Sequence, residues 1–140
     1  MGAVHVRGLV LCMIDLDHFK KINDTFGHPV GDDVLSAVGQ CIGSSIRSID
    51  YLARYGGEEF VVLLDLETGD EWRGVCERTR AKVEALTIEK LAGSRLSVSI
   101  GVAQYSEGET ALSLLDRADK ALYLAKANGR NCIRIAPCGE

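Results

Sequence analysis

The chain has 140 residues, of which 46% are hydrophobic and 26% charged, a globular balance that excludes disorder and collagen-like repeats and predicts one domain with one core. Its formal net charge of −4 argues against a general nucleic-acid binder. No apolar run approaches the roughly 20 residues of a membrane span, and residues 1–8 do not read as a secretion signal, so no membrane contact is expected.

Residues 9–14 form a continuous apolar run of the length of a strand buried on both faces. Asp15-Leu16-Asp17 ends it, and Asp17 is placed to cap a short helix through Phe26. Pro29 then fits a first helical position, and Val34, Val38, Ile42 and Ile46 recur every four residues, predicting an amphipathic helix over 29–47. Residues 51–55 and 58–66 read as strands joined by Gly56-Gly57, a pair suited to a two-residue hairpin turn with positive φ.

Apolar residues at helical spacing predict a helix over 70–86, through Trp72, Val75, Cys76, Thr79 and Val83. A second hairpin is expected around Gly93, with 96–105 as its long strand. Thr110 caps the next helix, whose buried stripe is Leu115, Ala118, Leu122 and Ala125 and whose end is Asn128-Gly129. Residues 131–135 form a last short strand. The order predicts an α+β fold in which helices surround a central mixed, mainly antiparallel sheet with a split β-α-β core.

The five cysteines (Cys12, Cys41, Cys76, Cys132 and Cys138) form no C-x-x-C pair, which indicates neither a disulfide framework nor a zinc site. Three of them sit among apolar neighbours and read as core thiols, and a reducing, cytoplasmic setting is expected.

Two acidic clusters fall where strands meet turns: Asp15 with Asp17, and Glu58 with Glu59. If their strands are neighbours, Asp15 and Glu58 converge at the sheet edge, where crowded carboxylates raise one another's pKa unless a cation lies between them. Oxygen ligands without histidine or thiolate suit Mg²⁺ or Mn²⁺. Each cluster alone also has an ordinary reading, Asp17 as a helix cap and Glu58-Glu59 as a solvated strand end. From Asp116 to Arg134 there are five basic and two acidic residues, with Lys126 and Arg130 flanking the helix end. They suit a phosphate, and they equally suit the helix dipole. Arg47-Ser48-Ile49-Asp50 is an R-x-x-D string that alone reads as a solvated helix end.

The segment RYGGEEF at 54–60 resembles the signature of the GGDEF family, the diguanylate cyclases, in its GGEEF form. DLDHFKKINDTFGHPVGDD at 15–33 is similar to the family's other main motif, RADKALYLAKANGRN at 117–131 to its C-terminal one, and SIGV at 99–102 to a further strand. The resemblance covers residues 9–135, as one GGDEF domain within 1–140. It implies a ferredoxin-like, palm-type nucleotidyl cyclase core that condenses two GTP into cyclic di-GMP and pyrophosphate.

By this resemblance Asp15, the Leu16 carbonyl and Glu58 hold Mg²⁺, and Glu59 joins the metal site or helps deprotonate the attacking 3′-hydroxyl. Asn23 and Asp32 read guanine, whose N–H donors match a carboxylate's acceptors. Lys126, Arg130 and the backbone near His18 and Phe19 grip phosphates beside Gly56 and Gly57, with Lys20 as a further phosphate cation. Each domain of a homodimer holds one GTP. Arg47 and Asp50, with five residues between them and Gly56, match an inhibitory site for the product, and Arg78 matches its secondary arginine.

The family's usual N-terminal helix is not evident before Val10, and a fused sensory or receiver domain is expected in a longer protein. The rival expectation is an inactive module that binds GTP or cyclic di-GMP; degenerate members normally lose the signature carboxylates, and Glu58 and Glu59 are both present. A different palm-type nucleotidyl cyclase is a third, against which Asn23 and Asp32 speak for guanine.

Overall fold

A computed structural model describes residues 8–66 and 71–137. The central strand, β1 (Gly8–Leu16), is antiparallel to both of its neighbours, β3 (Glu59–Leu66) and β4 (Val98–Gln104). The edge strands are β2 (Tyr51–Arg54), antiparallel to β3, and β5 (Ile133–Ile135), parallel to β4. The order β2-β3-β1-β4-β5 is a split β-α-β arrangement extended by one parallel strand.

Because side chains alternate along a strand, β1 separates two cores. Val10, Cys12, Ile14 and Leu16 pack with α1 (Phe19–Phe26), α2 (His28–Gly43) and α3 (Trp72–Glu84). Leu11 and Met13 point the other way and pack with α4 (Ala111–Ala127). Cys12 and Cys76 meet in the first core with their sulfurs 3.5 Å apart. Their contact, followed by burial, pushes the Cys12 thiol well above its usual range. Cys41 and Cys132 are also free thiols, while Cys138 lies outside the described residues.

Several sequence expectations change. No hairpin forms around Gly93: a short 3₁₀ turn, Glu89–Leu91, leads through left-handed Ala92 and Gly93 to β4, which pairs with β1 and β5. The β2–β3 connection is longer than two residues, with the Tyr55 N–H donating to the Glu59 carbonyl at 2.8 Å, and neither Gly56 nor Gly57 has positive φ. Helix α2 stops at Gly43, where the Ser44 and Ser45 hydroxyls both donate to the Cys41 carbonyl and compete with continued helix. Asp70, the expected start of the third helix, lies outside the described residues, as do residues 1–7, which do not read as a secretion signal. Thr110 does cap α4, accepting from the Ser113 N–H at 3.1 Å, and the buried stripe runs through Leu114 rather than Leu115. Among the described residues, no helix is long and apolar enough to cross a membrane.

Candidate active site

The condition for the acidic clusters to meet is fulfilled. Register places Asp15 opposite Glu59, and the Leu16 N–H donates to the Glu58 carbonyl at 3.3 Å. Alternation puts Asp15 on the side of Leu11 and Met13, under α4. There the last turn of α4 brings Lys126 Nζ to 2.6 Å from Asp15 Oδ2. Asp15 is only 4% exposed, and its Oδ1 has no hydrogen-bond partner. Burial, and then the charge of Asp15, raise the pKa of both Glu58 and Glu59, while Lys126 opposes the shift. Asp119 of α4 raises Glu59 further.

Among the described residues, no three His, Cys, Asp or Glu side chains form a ready-made metal cage. Mg²⁺ seldom needs one, since it binds through one or two carboxylates together with waters and substrate phosphates. An orphaned Asp15 oxygen beside two glutamates of raised pKa is a donor set that fits such a cation.

Glu58 and Lys126 open onto a cleft of about 430 Å³ that also takes in Leu16, His18, Phe19, Lys20 and Arg130. The Leu16 side chain is in the core, so it reaches the cleft through its backbone. His18 is left-handed, with φ 57°, and turns the chain sharply into α1 without a side-chain cap. The first helical bond runs from the Ile22 N–H to the His18 carbonyl, so the N–H groups ahead of it are free of intrahelical partners, as an anion-binding helix start requires. Lys21 and Asp24 line the same cleft and were not anticipated. Helical spacing was the available signal for Asp24, four positions after Lys20 and hence on its face.

The residues expected to read guanine do not line this cleft. Asn23 packs against Gly31 closely enough that a Cβ there would stand 1.9 Å from Asn23 Oδ1, and this oxygen is buried without a partner. Asp32 follows on the exposed side of α2. Gly56 and Gly57 are exposed in the β2–β3 loop, where Arg54 donates to the Gly57 carbonyl at 2.6 Å.

Arg47, Asp50 and Arg78 gather in a separate cleft of about 350 Å³ between the α2–β2 loop and α3. The Asp50 carboxylate accepts from the Arg47 N–H at 2.8 Å and the Asp65 N–H at 3.1 Å. Burial pushes its pKa up, but these amides and the Arg47 guanidinium outweigh burial and hold it below the usual range. Arg78 donates to the Ser45 carbonyl at 3.1 Å.

Asp17 is not the cap of α1. It is buried and accepts from Ser97 Oγ and Ser99 Oγ, both at 2.6 Å, and from the Asn131 N–H at 3.0 Å. Three donors from distant segments satisfy it better than one helix amide.

The model of the family described as "Diguanylate cyclase, GGDEF domain" matches residues 3–132. Diguanylate cyclase A of Treponema denticola is 47% identical over 131 residues, which are 91% of this chain and 35% of that protein. The response regulator PleD of Caulobacter vibrioides is 46% identical over 126 residues, 86% of this chain and 28% of that protein. The chain thus spans about a third of the length of the curated relatives it matches. Among solved structures, the coiled coil and GGDEF domain of DgcB from Caulobacter crescentus, in complex with c-di-GMP, superposes with TM-score 0.87 at 34% identity. That match covers 93% of this chain and 70% of the other. The active GGEEF domain of a diguanylate cyclase from Vibrio cholerae gives TM-score 0.84 at 33% identity, covering 95% and 85%.

Proposed function

The chain belongs to the GGDEF family of diguanylate cyclase domains, and from that premise we propose that it condenses two GTP molecules into cyclic di-GMP and two pyrophosphates. The observation that carries this reading is the meeting of Asp15, Glu58, Glu59 and Lys126 at the mouth of a cleft that also holds the start of α1 and Arg130.

In this reading Asp15, the Leu16 carbonyl and Glu58 hold Mg²⁺, with Mn²⁺ as a substitute. The cation, when bound, offsets charge on the α-phosphate and the leaving pyrophosphate and favours the 3′-oxyanion. The chain's own groups do the rest. Free N–H groups at the start of α1, together with Lys20, Lys126 and Arg130, receive the phosphates, and Gly56 and Gly57 line the approach without side chains. Lys126, at 2.6 Å from Asp15 Oδ2, would share its charge between that carboxylate and a phosphate oxygen in the cleft. Glu59, raised in pKa by burial and by Asp15, is suited to accept the 3′-hydroxyl proton. Asn23 and Asp32 supply acceptors for guanine N–H groups.

Because the product joins two nucleotides, two domains face each other with one GTP each. The Arg47, Asp50 and Arg78 cleft is assigned to the product as an inhibitor, with Arg47 on phosphate or guanine, Asp50 on a guanine edge and Arg78 as the secondary arginine. A cytoplasmic location, where GTP is available, and a sensory or receiver domain elsewhere in a longer protein complete the proposal.

Incubating the domain at high concentration with GTP and Mg²⁺ and separating the nucleotides tests it. Cyclic di-GMP is expected, and Glu58→Gln should abolish it while leaving the circular dichroism spectrum intact. No product from a verified dimer, or unchanged turnover in Glu58→Gln, defeats the assignment.

A further inference from the structure

Asp17 is a buried carboxylate for which the reaction above has no use. Its Oδ1 accepts from Ser99 Oγ and its Oδ2 from Ser97 Oγ and the Asn131 N–H, while its own N–H donates to the Ser97 carbonyl at 2.9 Å. A buried carboxylate is tolerated only when its oxygens are satisfied in this way. Two of the donors are hydroxyls that can rotate. The third is a backbone amide whose direction is fixed, and it belongs to the turn that carries Arg130.

That turn is held in an unusual shape. Arg130 and Asn131 have φ of 63° and 46°, left-handed values that non-glycine residues keep only where their surroundings impose them. Four contacts do so. The Arg130 N–H donates to the Ala125 carbonyl at 3.0 Å, and the Asn131 N–H to Asp17 at 3.0 Å. The Asn131 side chain donates to Glu84 Oε2 at 2.7 Å and accepts from Arg80 at 2.9 Å, so α3 clamps it from outside.

We infer that Asp17 and Asn131 are positioning residues, which fix where Arg130 stands relative to Asp15. Asp17 lies two residues beyond Asp15 at the end of the same strand. One strand end therefore sets the carboxylate on the metal side directly and the guanidinium on the phosphate side through Asn131. This rests on the reading of Arg130 as a phosphate grip.

Binding of an uncleavable α,β-methylene analogue of GTP with Mg²⁺, measured by calorimetry on this chain, tests it beside KM and kcat. Asn131→Gly keeps the left-handed turn and the amide to Asp17 but removes the clamp to α3. Asp17→Ala removes the inner anchor. Asp17→Asn keeps an acceptor for Asn131 and can donate to the Ser99 hydroxyl. Asn131→Gly and Asp17→Ala should weaken the analogue by about tenfold or more, as loss of supporting contacts around a ligand group does, with KM rising more than kcat falls. Asp17→Asn should restore most of the affinity.

The deciding measurement is Asn131→Gly in an Arg130→Ala background, where its effect should vanish because it acts through Arg130. An undiminished effect there, or a loss of thermal stability with no change in analogue affinity, overturns the inference alone. Arg130→Ala binding the analogue as tightly as the parent chain overturns the phosphate role of Arg130, and the inference with it.

Discussion

Gly101 decides how closely α4 approaches the sheet. A Cβ there would lie 2.2 Å from the Leu122 nitrogen and 2.3 Å from the Ala118 oxygen, both backbone atoms that cannot swing aside. The helix answers with Ala118, Ala121 and Ala125, all buried, and rests almost directly on β4. At that spacing Lys126 Nζ stands 2.6 Å from Asp15 Oδ2. Gly101→Ala should therefore lift α4 and cost about 3 kcal/mol, the upper range for overpacking, read as a lower midpoint in urea. Turnover should fall as well, although residue 101 touches no ligand. Gly57 is the contrast, since nothing lies within 4 Å of its would-be Cβ. An unchanged midpoint in Gly101→Ala would remove the steric account of how Lys126 and Asp15 come together.

The elements carry their own electrostatics, most clearly at the start of α4. Glu109 accepts from the Ser106 N–H, the Ser113 hydroxyl and two nitrogens of Arg117, and its pKa falls to about 2, with the Arg117 hydrogen bonds as the main cause. A lowered carboxylate pKa adds stability that is present above the unfolded value and lost as pH falls through the folded one. Glu109→Gln should thus cost about 2 kcal/mol near pH 7, with the difference from the parent chain shrinking from about pH 4.5 down to pH 2, in denaturant titrations across that range. A difference independent of pH would show that Glu109 contributes packing rather than charge. Thr110 and the 3.6-residue period made α4 legible in the sequence, because a cap and a stripe are local signals. Gly93 misled for the same reason: it marks a turn, but no local pattern reports whether a partner strand precedes it. Asp17 was legible as a carboxylate at a strand end and illegible as an anchor, since its bond to Asn131 spans 114 positions. The residues proposed for the metal and the phosphates could be picked out because the motifs keep them in short strings. Their mutual distances depend on the β1–β3 register and on how closely α4 passes over Gly101; the string SIGV holds that glycine, but no string names the helix that crosses it.

At the scale of the whole molecule, a net charge of −4 says little about affinity for an anion, because charge is sorted by position. Asp15 and the two glutamates gather at one sheet end, and Lys20, Lys21, Lys126 and Arg130 line the adjoining cleft. The same sorting bears on stoichiometry. Each chain presents one such cleft, with one Arg130 and one Asp15–Lys126 pair, whereas the condensation needs two 3′-hydroxyls and two α-phosphates. In the proposed reaction a two-fold pair would supply both halves, and a defect in either chain would then disable the pair. Glu58→Gln mixed in equal amount with a fixed quantity of parent chain, at concentrations where dimers form and exchange, should cut the formation of cyclic di-GMP to about half, since half of the parent chains then sit opposite a defective partner. A chain working alone would be indifferent to the addition. Glu109→Gln, which lies away from both clefts, serves as the control: a partner weakened there but still folded should leave the rate per parent chain undiminished. Loss of activity with Glu58→Gln and not with this control would place the chemistry between two chains, with the carboxylate end of each sheet facing the nucleotide held by the other.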